Sequence, residues 1–291
     1  MQICFHLGAH CTDDDNLTKS LLKNSGNLAK MGVAVPGPGR YRGLLADALV
    51  KLQGARADDD TQDMLLDTFV DRTDAKRLIL GHKNFMGAPH RSIENNQLYH
   101  LAKRNTVWIR NLFANHEVSF FIGLRNPATF VPAILNAVPA HDRASLLAQI
   151  DPHGLRWSDM LLTIREANPG TPITVWCNED TPLLWLEIMQ VIAGVSDSTP
   201  MDGALDILRP IMTPDGFDRM VDYMGKTEIP SPQQRQRVII TFLEKFAIQD
   251  AVEEEIDLPG WTAAMVDDLS DAYDRDLEQI QRIEGVTLLL T

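Results

Sequence analysis

The chain has 291 residues, 44% of them hydrophobic and 23% charged, enough for one large buried core or two smaller ones. A net charge of −13, from 40 acidic and 27 basic side chains, argues against a nucleic-acid partner or an anionic membrane surface, both of which need basic patches; it leaves room for one local basic pocket. Three scattered cysteines make no CxxC pair, the start shows no leader pattern, and no apolar run approaches the ~18 residues of a membrane span, so a cytoplasmic protein is expected.

In chain order, QICFHL (2–7) predicts a short strand that ends at Gly8. Asn16 or one of the aspartates before it can cap the next helix, LTKSLLKNSGNLAKM, which stops at Gly32. VAV (33–35) predicts a second strand, closed by PGPG. GLLADALVKLQ and TQDMLLDTFVDR predict two helices, and RLILG (77–81) a third strand. ENNQLYHLAKRNTVWIRNLF (94–113) reads as one long helix. VSFFIGL (118–124) is apolar without alternation, as in a strand buried on both faces. It is followed by RNPATFVPAILNAV, a loop and then a helix; WSDMLLTIREAN is helical, PITVWC (172–177) is a fifth strand, and TPLLWLEIMQVIAG is a further helix with a core or interface stripe. Past residue 200 the pattern turns helical and ends in the apolar VTLLL. Strands alternating with helices imply an α/β fold: about five mainly parallel strands with helices on both faces, in a single domain. Residues 1–200 form the α/β core, and 201–291 a helical part packed on it.

Ligands of such sheets bind at the C-terminal ends of the strands. The turns there hold Gly8–Asp15, His82–Asn84, Arg125–Pro127 and Asn178–Asp180. The first of them, GAHCTDDDN, sits where a phosphate-binding loop belongs yet carries three consecutive aspartates. One reading makes Asp13, Asp14 and Asp15 helix-capping groups. A second makes them, with His10, a site for a divalent cation or an ammonium group. A third leaves them as an exposed turn. No metal site is predicted, because the spacing fits neither an EF-hand nor a zinc pattern. Cys11 makes a poor nucleophile, since neighbouring carboxylates raise a thiol's pKa. GxSxG, HExxH and GxxxxGK[ST] are absent from the sequence.

HLGAH-x-T with its leucine-containing helix, GVAVPGPGRYRG, LRNPATFVPAIL and the closing AYDRDLEQIQRIEGV, in that order, resemble the bacterial branch of the sulfotransferase family. The resemblance implies a three-layer sandwich like that of P-loop NTPases and 3′-phosphoadenosine-5′-phosphosulfate as sulfate donor. The acceptor it implies is a hydroxyl of a small molecule or glycan. It also implies that Gly8, Ala9, His10, Cys11, Thr12, Asp13, Asp14 and Asp15 form the donor loop. The family pattern there is G-x-x-K-[ST]-G-[ST]-[ST]. Gly8 and Thr12 match it, Cys11 stands at the lysine, and the three aspartates stand at the glycine and two hydroxyl positions. Two like charges about 4 Å apart repel by roughly 4 kcal/mol at an effective dielectric of 20, so three carboxylates beside a phosphosulfate would weaken or abolish donor binding.

Arg125 matches the arginine that grips the donor's 3′-phosphate, while Ala133 stands at its serine partner. Arg125 can equally pair with a carboxylate at the sheet edge, one of the loop aspartates included. The resemblance puts an acid–base residue near the sulfate, for which His82 and Lys83 after the third strand are the candidates; both also suit an exposed turn. Arg40 and Arg42 can border a pocket. His90, Arg91, His100, His116, His141 and His153 read as surface or helix-face groups. Three functions follow: a sulfotransferase with a divergent loop and impaired donor binding, a noncatalytic relative that takes another ligand, a cation or a protein partner, or an enzyme of altered chemistry that uses the aspartates to hold a metal or an amine.

Overall fold

A computed structural model describes residues 1–291 except 72, 73, 228, 230, 253–255, 257 and 259; position 72, the last of the predicted helix TQDMLLDTFVDR, therefore lies outside the described residues. The structure is α/β, with one central sheet of six strands, one more than the sequence suggested. They are β1 (Gln2–His6), β2 (Val33–Ala34), β3 (Arg77–Gly81), β6 (Glu117–Leu124), β7 (Ile173–Cys177) and β8 (Val286–Leu289). Their order is β2-β3-β1-β6-β7-β8, and every neighbouring pair is parallel. The added strand is the apolar stretch after the last helix, so residues 201–291 are not purely helical: their end extends the sheet.

Alternation along β1 divides the core. Ile3, Phe5 and Leu7 join Leu78, Leu80, Phe120 and Ile122 on one face. There they meet helices α3 (Pro38–Leu52), α4 (Asp59–Phe69), α5 (Ala102–Leu112), α6 (Pro127–Ala137), α8 (Trp157–Ala167) and α13 (Ala263–Ile280). Cys4, Ile79, Phe121 and Trp176 point the other way, into α1 (Asn16–Lys23), α2 (Ser25–Lys30) and α9 (Thr181–Ala193). The result is three layers, as period-two alternation in a doubly covered sheet requires. A third, smaller cluster around Leu208, Phe217, Met220 and Ile239 is built by α10 (Pro214–Lys226) and α11 (Pro232–Phe246). Among the described residues, no helix is long and apolar enough to cross a membrane.

Two predicted helices are interrupted. Residues 94–113 begin instead with a hairpin, β4 (Ile93–Glu94) paired with β5 (Gln97–Leu98), before α5 starts at Ala102. Asn95 and Asn96 both take positive φ, 53° and 56°, the two-residue turn that asparagine tolerates and that fits strand twist. The first long helix breaks at Asn24. Its buried amide donates to the Ser20 and Asp202 carbonyls and accepts the Asp202 N–H, tying the break to a distant segment.

β1 lies between β3 and β6. The chain leaves β1 for the β2–β3 side and returns to the other side at β6. This reversal opens a crevice at the C-terminal end of β1, the usual ligand position in an open parallel sheet.

Candidate functional site

The turn after β1 occupies that crevice and feeds α1. Gly8 takes φ +65°, and a Cβ there would lie 2.9 Å from the Cα of Lys83; only glycine lets the turns after β1 and β3 approach so closely. Cys11, Asp14 and Asp15 also have positive φ, 58°, 46° and 65°. Three non-glycine residues in this region within one short loop are costly and must be held by their surroundings.

The surroundings are specific. Asp13, almost fully buried, accepts the Leu17 N–H on Oδ2 at 3.0 Å, and its carbonyl accepts the Asn16 N–H at 2.8 Å. Those two groups open α1. The residue that flanks the helix, Asp15, makes no side-chain cap, so the capping expected of Asn16 or an aspartate falls to Asp13, from outside the helix. The other Asp13 oxygen lies 3.8 Å from His6 Nε2, whose ring stacks on Trp176. Asp15 receives both arms of Arg42, at 2.7 and 3.0 Å. That pair holds the Asp15 carboxyl below its ordinary pKa. Arg42 also donates to the Gly81 carbonyl, as does the buried Tyr41 hydroxyl at 2.6 Å, which fastens α3 to the end of β3. Asp14 faces Lys83 Nζ at 3.7 Å, both side chains exposed.

The loop's remaining polar groups are equally engaged. Thr12 Oγ1 donates to the Ala9 carbonyl at 2.7 Å. The buried Tyr99 hydroxyl accepts the His10 N–H at 2.8 Å and lies 2.9 Å from His10 Nδ1; His10 Nε2 is 3.0 Å from Asn84 Oδ1. This chain assigns the proton to Nε2: the Tyr99 O–H donates to Nδ1 and Nε2–H donates to Asn84. Burial lowers the His10 pKa.

Arg125, at the end of β6, reaches the same loop. Its Nη1 donates to the Cys11 carbonyl and its Nε to Thr129 Oγ1 at 3.0 Å. The Trp157 indole N–H donates to the Arg125 carbonyl at 2.8 Å. Ala133 lies in α6. Beside Arg125, Glu179 accepts the Asn126 N–H at 2.8 Å, and burial raises its carboxyl pKa. In the closing AYDRDLEQIQRIEGV, Tyr273 and Asp276 hold structural positions. Tyr273 Oη lies 3.5 Å from Glu179, and Asp276 caps α8 from α13 by accepting the Trp157 and Ser158 N–H groups and the Ser158 hydroxyl.

His82 and Lys83 sit beside the loop. Burial first, then the neighbouring Arg42, pushes His82 down to about 4. Its Nδ1 is buried and has no hydrogen-bond partner among the described residues, and Lys83 faces Asp14. Thus Gly8–Asp15, His82, Lys83 and Arg125 do come together in space. The cation or amine arrangement does not form: Asp13, Asp14 and Asp15 turn to three different partners. Among the described residues, no group of three His, Cys, Asp or Glu side chains is placed to hold a metal. Sequence reasoning missed Tyr99, hidden in a predicted helix. It placed Arg42 near a pocket without its partner Asp15.

Comparison of the chain with protein-family models, with curated proteins and with solved structures finds no match.

Proposed function

We propose that this chain is a sulfotransferase-like protein whose donor loop is closed by its own side chains, leaving a noncatalytic relative of the transferases. The scaffold reading is supported by the strand order with β1 inside the reversal, a glycine-led loop at its C-terminal end, and Arg125 reaching that loop from β6. The observation that carries the loss is the Asp13 carboxylate on the Leu17 N–H. A helix N-terminus favours an anion through its unpaired N–H groups and dipole. Here the chain supplies that anion itself, and a phosphosulfate would have to displace Asp13 while facing Asp14 and Asp15.

The side chains around the loop do not fit the donor. Arg42 is spent on Asp15, and Cys11 stands where a lysine would be needed. A working transferase is disfavoured on a second count. A base with a pKa of about 4 is weak at neutral pH, so His82 would take a hydroxyl proton poorly. What remains is a loop whose polar side chains are bonded within the chain.

The test is a thermal-shift titration with 3′-phosphoadenosine-5′-phosphosulfate and with adenosine 3′,5′-bisphosphate. A native-state ligand stabilises by RT ln(1 + [L]/Kd), about 2.7 kcal/mol at a hundredfold excess over Kd. The expected outcome is no saturable shift at millimolar nucleotide that arises from this loop. Saturable stabilisation through the loop would overturn the proposal and restore the active transferase.

A further inference from the structure

At the opposite, N-terminal end of the sheet lies a cavity of about 760 Å³, within the size range of small-molecule sites. Three arginines line it, drawn from separate segments: Arg56 after α3, Arg77 at the start of β3 and Arg110 in the last turn of α5. Their hydrogen bonds do not neutralise them. Arg56 donates to the Asn115 side chain, Arg77 to Cys4 Sγ and Gln2 Oε1, and Arg110 to the Ala167 carbonyl. Among the described residues, none of the three has a carboxylate within 4.0 Å.

In a chain with 40 acidic and 27 basic side chains, carboxylate partners are plentiful. Yet three arginines line one cavity without any among the described residues, and the hydrogen bonds named above use a minority of the five N–H donors of each. The wall contains one carboxylate, Glu117, which receives Gln2 Nε2 at 3.3 Å. His116 also lines the wall, and burial lowers its pKa. Ser119 and Thr174 add hydroxyls, and Phe121 and Val191 an apolar patch. Guanidinium groups bind oxyanions through paired, directional N–H bonds, and several together select a ligand with more than one anionic group.

We infer that this cavity binds a small polyanion, a metabolite carrying at least two carboxylate or phosphate groups. The site is independent of the loop after β1 and does not rest on the reading given for it.

The experiment is a thermal-shift titration of the full chain with citrate and, separately, pyrophosphate, at constant ionic strength set with sodium chloride. It is run on the wild type, Arg56→Gln, Arg110→Gln and the exposed control Lys245→Gln on α11. Among the described residues Arg56 makes one side-chain hydrogen bond, to an exposed asparagine, so its replacement is expected to leave the fold intact. The expected result is saturable stabilisation of the wild type and Lys245→Gln, with Kd raised roughly tenfold or more in each arginine variant, as loss of a charge-assisted bond implies. Response to citrate alone identifies a polycarboxylate, to pyrophosphate alone a phosphorylated ligand, and to both a site that reads charge. No saturable shift with either anion up to about 10 mM, a range that covers weak metabolite binding, overturns the inference. So does a shift of equal affinity in Arg56→Gln and Arg110→Gln. The same variants separate the two sites. Nucleotide stabilisation lost in Arg56→Gln belongs to this cavity, whereas stabilisation that persists in both variants counts against the closed loop.

Discussion

At the scale of single residues, the loop after β1 is a set of charges that have found partners within the chain. His82 shows the consequence for pH. Its folded-state pKa is held near 4 against an ordinary 6.5, first by burial and then by Arg42. As pH falls below about 6.5 the unfolded chain takes up a proton that the folded chain refuses until about 4, so the unfolded state binds more protons and stability drops through that window. The stabilising contribution of neutral His82 is therefore present at pH 7 and lost toward pH 4. Urea denaturation of wild type and His82→Asn at pH 7.5 and pH 4.5 should show the wild-type midpoint falling more steeply with acid; parallel slopes would refute this. The partnerships behind such shifts were not legible in the sequence. Asp15 and Arg42 are 27 positions apart, His10 and Tyr99 are 89 apart, and no local pattern links either pair.

At the scale of elements, the start of α1 depends on a carboxylate outside the helix. Asp13→Ala removes the acceptor of the buried Leu17 N–H and should cost about 1–2 kcal/mol of unfolding free energy, whereas Asp13→Asn, which keeps an acceptor oxygen, should cost less than about 1 kcal/mol. Equal losses in the two variants, measured by urea denaturation, would mean that the Asp13 charge rather than its hydrogen bond holds the loop. Elements differed in how far the sequence exposed them. β1, β3, β6 and β7 were readable because buried parallel strands are uninterrupted apolar runs. β8 was noticed only as apolar residues after a helix, since four residues carry no period and their partner, β7, lies far back in the chain. The hairpin at Ile93–Leu98 was masked because two asparagines between short polar-flanked strands break no helical periodicity.

At the scale of the whole molecule, the long C-terminal helix fastens one side of the sandwich through Asp276. That carboxylate, 2% exposed, satisfies two N–H groups and a hydroxyl at the start of α8. Asp276→Ala would strand all three in the interior, at a cost of roughly 3–5 kcal/mol. A loss below about 1 kcal/mol in urea denaturation would show that α8 is capped another way. The sequence showed a helical pattern past residue 200, but not that Asp276 serves a helix 119 positions earlier. Nor could it show that Arg56, Arg77 and Arg110 line one cavity, because each belongs to a different segment. The position of β8 also bears on how the protein is made. β7 pairs with a strand that follows it by roughly a hundred residues, which a ribosome takes about 5–20 s to add. During that interval the unpaired N–H and C=O groups along this edge of β7 are an open template for another strand, an exposure that the docking of residues 286–289 closes.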